Sequence, residues 1–234
     1  MFGSTYGNTL KISTWGESHG KALGVVVDGC PAGLSLCEED IQVFLDRRKP
    51  GQSAFTTQRN EGDLVEILSG VFEGKTTGTP ISMIVRNKEQ RSKDYSEIAN
   101  YYRPGHADYT FDEKFGFRDY RGGGRSSGRE TIGRVAAGAI ASKILNQLGI
   151  SITTYSKSIG NVEIDYIKLD KDNILKDTLY MPDKEASAKA QELLKEKIAD
   201  TDSVGGIIEC VVKNMPAGVG EPVFEKLDAN LAKA

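Results

Sequence analysis

Two histidines are the only ones in this chain of 234 residues, and both stand in loops that could do chemistry. His19 lies in Gly16-Glu17-Ser18-His19-Gly20, between two strand-like runs, where small flanking residues let a ligand approach closely. A turn histidine that caps a backbone group is the structural alternative there. His106 follows Arg103-Pro104-Gly105, at the head of a segment that gathers arginines: Arg103, Arg118, Arg121, Arg125, Arg129 and then Arg134. Within that segment, Gly122-Gly123-Gly124 precedes Arg125-Ser126-Ser127 and a predicted helix start. Guanidinium forks, a glycine run and a helix N-terminus each hold anions, so the combination predicts a site for phosphate or carboxylate groups. Arg47, Arg48 and Lys49 form a second basic cluster, which the end of a preceding helix also accounts for.

The elements that position these residues can be read from periodicity. Leu10, Ile12 and Thr14 alternate as a strand, and a second strand runs through Gly24–Val27. Ser35 and Glu38 have capping-box spacing ahead of a helix with Ile41, Phe44 and Leu45 on one face. Strands are expected over 64–72, 80–86, 150–155, 159–164 and 206–213. Helices are expected over 106–116, 131–148 and 183–198. The small residues Ala136, Ala137, Gly138, Ala139 and Ala141 mark the second helix as central, and Ser127 with Glu130 reads as its capping box. Gly74-Lys75-Thr76 imitates a P-loop, but the glycine spacing is one short and no helix follows; a hairpin turn is the reading.

Composition narrows the function. A net charge of −3 argues against a general nucleic-acid binder and makes the arginines a local concentration suited to a small anionic ligand. The single Arg121-Gly-Gly-Gly-Arg125 run is the only hint of RNA binding, and it lacks repeats. Three cysteines without a CxxC pair speak against a disulfide framework, no metal site is expected, and no apolar run could span a bilayer. A cytoplasmic protein is expected. Val26–Leu34 is echoed by Val211–Val219, each a strand entering a Pro-Ala-Gly turn, which points to two related halves. The closing helical pattern at Leu227–Ala234 carries no stop signal, so the second half reads as unfinished.

With those residues in view, the sequence resembles the chorismate synthase family. The resemblance rests on GESHG (16–20), DRRKPGQS (46–53), TTQR (56–59), SGVFEGKTTGTPI (69–81), RPGHADYT (103–110), RDYRGGGRSSGRET (118–131) and MPAGVGEPVFEKLDA (215–229). It implies an α+β fold, a β-α-β sandwich of helices between antiparallel sheets, in one domain over 1–234 that is incomplete at its C-terminal end. It implies a 1,4-elimination of phosphate from 5-enolpyruvylshikimate 3-phosphate to chorismate, with reduced FMN, in a homotetramer. It carries His19 and His106 over as catalytic residues, with His19 the acid toward the leaving phosphate and His106 beside the flavin. It carries Ser18, Arg48, Arg103 and Arg129 over to substrate, and Arg125, Ser126 and Ser127 to FMN. Arg48 is also a possible contact for NADPH as reductant. Should the molecule end at Ala234, weak FMN binding and no turnover are expected.

Overall fold

The computed structural model describes residues 3–56, 62–87 and 97–234, so most of the TTQR motif lies outside the described residues. In chain order the elements are β1 (Thr5–Tyr6), β2 (Lys11–Gly16), β3 (Ala22–Asp28), α1 (Glu38–Arg48), β4 (Val65–Ile67), β5 (Val71–Phe72), β6 (Lys75–Thr76) and β7 (Ile81–Arg86). They continue as α2 (Asp108–Phe115), α3 (Thr131–Gln147), β8 (Ser151–Ile159), β9 (Val162–Glu163), α4 (Lys184–Ala199), β10 (Gly206–Lys213) and α5 (Leu227–Lys233). Helices and antiparallel strands alternate irregularly, which makes the fold α+β. Two compact units are distinguishable: Met1–Gly51 with Gln58–Ile144 and Glu221–Ala234, and Gln52–Thr57 with Leu145–Gly220.

In the first unit a five-stranded sheet has the order β1-β2-β3-β7-β4. Its register aligns one face: Leu23 pairs with Val85, Val25 with Met83 and Val27 with Ile81. All six are buried, together with Ile41 and Leu45 of α1 and Ile132, Ala136 and Ile140 of α3. Alternate residues share a face of a strand, so this register puts a continuous apolar surface under the two helices. Burying each such aliphatic side chain contributes about 1.5–3 kcal/mol. Helix α3 comes closest to the sheet at Gly133, where an added Cβ would lie 2.9 Å from Thr14 Cγ2 and 3.1 Å from the Gly24 carbonyl oxygen. The closest approach thus falls on Gly133. A Cβ at Gly138, in the run read as the close-packing face, would meet nothing within 4 Å.

In the second unit β10 pairs with β8, and β8 with β9. Tyr155, Ile164, Ile174, Met181 and Ala190 form its core. The expected strand break inside 150–164 falls later than the sequence implied: β8 runs unbroken to Ile159 and turns at Gly160.

Other local expectations are corrected. The segment 64–72 is two strands, because Ser69 turns the chain: its hydroxyl donates to the Pro80 carbonyl at 2.9 Å and accepts from Ser82 N–H at 3.1 Å. The P-loop look-alike is the β5–β6 hairpin, with Phe72 paired to Lys75. Helix α1 is capped two residues later than Ser35–Glu38 implied, by Cys37, whose N–H donates to Asp40 Oδ2 at 3.0 Å. Ser127 caps a short 3-10 turn, accepting from Arg129 N–H. Glu130 turns away to Thr14 Oγ1 at 2.8 Å and to Arg134, so the expected box does not close.

The internal echo extends to the backbone. Gly29 and its counterpart Asn214 have φ of 80° and 62°, and Gly33 and Gly218 have 86° and 89°. Each turn leads from a strand (β3, β10) toward a helix (α1, α5).

Candidate functional site

The site residues named from sequence all lie in the first unit. The β2–β3 connection carries Ser18 and His19, and both are buried, 8% and 5% exposed. His19 sits against the glycine run: a Cβ on Gly122 would lie 2.0 Å from its Nδ1 and 2.1 Å from its Cε1. Gly122 also has φ of 67°, so both the ring and the backbone require glycine. Ser18 Oγ lies 3.1 Å from His19 Nδ1 and donates to the Gly122 carbonyl at 3.3 Å. A hydroxyl has one hydrogen, so with that donated to Gly122, the Ser18 oxygen can accept from a protonated Nδ1.

Arg48 from the end of α1 and Arg129 from the turn before α3 meet on one carboxylate, Asp63. Arg48 Nη1 donates to Oδ2 at 3.0 Å and Arg129 Nη2 to Oδ1 at 2.8 Å, and the Asp63 side chain is fully buried. Arg48 also donates from Nε to Thr131 Oγ1 at 3.1 Å and from Nη2 to the Gly128 carbonyl at 3.3 Å. Burial pulls the Arg48 guanidinium below its ordinary value; Asp63 opposes this, and the nearby charge of Arg129 adds to it. Arg129 Nε donates to Asn87 Oδ1 at 2.9 Å. Asn87 Nδ2 in turn donates to the carbonyls of Glu17 at 3.1 Å and Gly20 at 2.8 Å, the residues that bracket Ser18-His19.

Arg103 is fixed by Asp108 through a two-pronged bond, Nε to Oδ2 and Nη2 to Oδ1, both 2.8 Å. Arg118 adds an ion pair to Asp108 at 3.1 Å and gives Nη2 to the carbonyls of Ile98, at 2.9 Å, and Tyr101, at 3.0 Å. The Arg103 guanidinium therefore holds the Asp108 carboxyl well below the usual carboxylate range against the effect of burial, with Arg118 assisting. His106 is exposed, and its Nδ1 is 3.1 Å from the Pro104 carbonyl two residues back. Near His19, burial alone would raise Asp119. Hydrogen bonds from the Arg121 side chain and backbone outweigh burial, and the charge of His19 adds to them, holding this carboxyl below its ordinary value.

The helix start is less open than its sequence implies. Ser126 N–H donates to the Gly123 carbonyl, Ser127 N–H to Gly124 and Glu130 N–H to Ser127, so the 3-10 turns use donors read as available. Arg125 gives Nη1 to the Gly16 carbonyl at 3.1 Å, and Nη2 to the Thr14 carbonyl at 3.1 Å and Thr14 Oγ1 at 2.7 Å. Arg121 is bound to Asp119 at 2.9 Å. Both arginines of the Arg121–Arg125 run thus serve internal contacts, which removes the motivation for the RNA-binding reading. Gly123 is closely bordered by polar atoms: a Cβ there would lie 3.3 Å from Ser126 Oγ, 3.6 Å from Arg103 Nη2 and 3.8 Å from Ser127 N. A separate cleft of about 1160 Å³ is walled by β1, β2, α2 and α3 and includes Arg125, but neither histidine nor Arg48, Arg103 or Arg129 lines it.

Sequence reasoning missed Asp63, Asn87, Asp108 and Asp119. Asp108 stands within hydrogen-bonding spacing of Arg103, and that was a legible signal. Asp63 and Asn87 offered none, because one stands just before β4 and the other just after β7 with nothing local to mark either.

Fold and site together define an α+β protein that assembles partly buried guanidinium groups and a buried histidine beside an antiparallel sheet. The chain belongs to the chorismate synthase family, whose description matches residues 10–234. It is 69% identical to the chorismate synthase of Agathobacter rectalis and covers all of this chain and 64% of that protein. It is 71% identical to that of Lachnospira eligens, with the same coverage of 100% and 64%. A crystal structure of chorismate synthase superposes with a TM-score of 0.74 at 32% identity, over 92% of this chain and 60% of that one. The chain thus spans 64% of the length of these curated relatives.

Proposed function

We propose that this chain carries the site of a chorismate synthase, a lyase of the shikimate route that eliminates phosphate from 5-enolpyruvylshikimate 3-phosphate in the 1,4 sense to give chorismate. The observation that carries this reading is the joining of His19 to the Arg48–Asp63–Arg129 cluster through Asn87. Phosphate departs more readily when protonated, and the buried His19, held beside Ser18, is the residue proposed to give that proton. The substrate's phosphate and two carboxylates call for several guanidinium groups, supplied by Arg48, Arg103 and Arg129, with Ser18 beside the proton donor.

The residues present fit a flavin in part. Ser126 Oγ, Ser127 N and Arg103 Nη2 gather around Gly123, a polar set that suits an anionic group. Arg125 contributes in this reading through its charge, since Nη1 and Nη2 are engaged by β2. Reduced FMN, when bound, supplies an electron-rich ring that accepts the proton lost from the substrate. Exposed His106 stabilises negative charge beside that ring. NADPH as reductant near Arg48, a homotetrameric assembly and a cytoplasmic location complete the proposal. Among the described residues no helix is long and apolar enough to cross a membrane.

The test is anaerobic chorismate release, with reduced FMN, by the protein that carries this chain. His19→Ala and His106→Ala are each expected to lower turnover by about 10²–10⁴-fold while leaving far-UV circular dichroism unchanged. Wild-type turnover retained by either variant removes that histidine from the mechanism.

A further inference from the structure

Asn87 ends β7 and belongs to none of the motifs that carry the family resemblance, yet every polar group of its side chain is used between two parts of the site. Its oxygen accepts from Arg129 Nε at 2.9 Å, and its nitrogen donates to Glu17 O at 3.1 Å and Gly20 O at 2.8 Å. Only this amide orientation is chemically consistent, because a nitrogen must face two carbonyls and an oxygen must face a guanidinium. Its own N–H donates to the Lys21 carbonyl at 3.1 Å, tying the same loop a second time. Arg129 is anchored from the other side by the buried Asp63, which also holds Arg48.

We propose that Asn87 is a positioning residue that couples the arginine pair to the Ser18–His19 loop, so that an anion held by Arg48 and Arg129 is sensed by His19. This rests on the reading of the site given above. The mechanical basis is short: one side-chain amide separates the Arg129 guanidinium from the backbone carbonyls that bracket His19. Among the described residues, the charged groups near the His19 loop include Glu17 of the loop itself, Asp119 with Arg121 from the loop after α2, Arg125 on the Gly16 carbonyl, and Arg129 across Asn87. Asp119 is already paired to Arg121, so a bound anion is the variable charge in this surrounding.

The chain's two histidines make the test direct. Their C2–H resonances are followed by proton NMR against pH, assigned with His106→Gln, with and without inorganic sulfate, which does not titrate in this range. In the wild type, sulfate is expected to raise the His19 midpoint by about one pH unit. By linkage, sulfate then binds about tenfold more tightly below that midpoint than above it. In Asn87→Ala the shift is expected to disappear. Asn87→Ser, which keeps one donor to the loop, decides the matter should the alanine variant lose its circular dichroism. A shift lost in a folded variant supports the inference. A full wild-type shift in a folded Asn87 variant overturns the inference alone. No shift in the wild type overturns the site reading and the inference with it.

Discussion

His19 and His106 are the same residue in opposite surroundings. His19 is 5% exposed, pressed against the backbone of Gly122 and tied to Ser18, inside a loop that Asn87 staples to Arg129. His106 is exposed on a turn, and its nearest anchor is its own Pro104 carbonyl; the rigid part of that region is the neighbouring Arg103–Asp108–Arg118 cluster. The first histidine has its position set by the protein. The second has a fixed base and a ring whose environment a ligand must complete. A proton donor gains from the former arrangement, and a group that answers to a bound ring can work from the latter.

The largest test of this contrast concerns the charge beneath the first region. Asp63→Ala leaves two partly buried guanidinium groups without their shared carboxylate, and is expected to cost about 3–5 kcal/mol in urea unfolding. A cost below 1 kcal/mol would show that the pair is not held by Asp63. Next in size is a matched pair of glycine substitutions. Gly122 and Gly105 have φ of 67° and 71°, yet a Cβ at 122 collides with His19 whereas one at 105 meets nothing within 4 Å. Gly105→Ala should cost about 1 kcal/mol, the backbone penalty alone. Gly122→Ala should cost at least about 2 kcal/mol and displace the His19 resonance. Equal effects at the two positions would erase the distinction between the loops.

The smallest effect concerns the second region's anchor. The folded Asp108 carboxyl lies below its unfolded value, so its contribution is present above about pH 4 and is lost as pH falls toward the folded value. Asp108→Asn should therefore flatten the acid limb of stability below about pH 4, measured by urea midpoints across pH. The wild-type slope persisting in that variant would assign the acid sensitivity elsewhere.

Much of the local structure was legible in the chain. Helix α2 ends at Gly116 in a left-handed cap, α3 starts at Thr131 and β10 spans Gly206–Lys213, as their periodicity and stop signals required. Errors arose where a side chain's partner was distant in sequence. Ser127 and Glu130 had capping-box spacing, but Glu130 found Thr14, more than a hundred residues earlier. Arg125 looked available for anions, and it is occupied by Gly16 and Thr14, groups brought in by the fold.

The sequence by itself determined the residue types of the site, the loops that bear both histidines, and a glycine run permissive enough for close approach. Those properties are local, fixed by backbone permissiveness and side-chain chemistry over a few positions. Only the tertiary structure decided that Arg48 and Arg129 share Asp63, that Asn87 links them to His19, and that the helix start keeps its N–H groups for its own turns. Such pairings depend on sheet register and helix placement, because a buried charge or amide takes whichever partner the packed elements bring within about 3 Å.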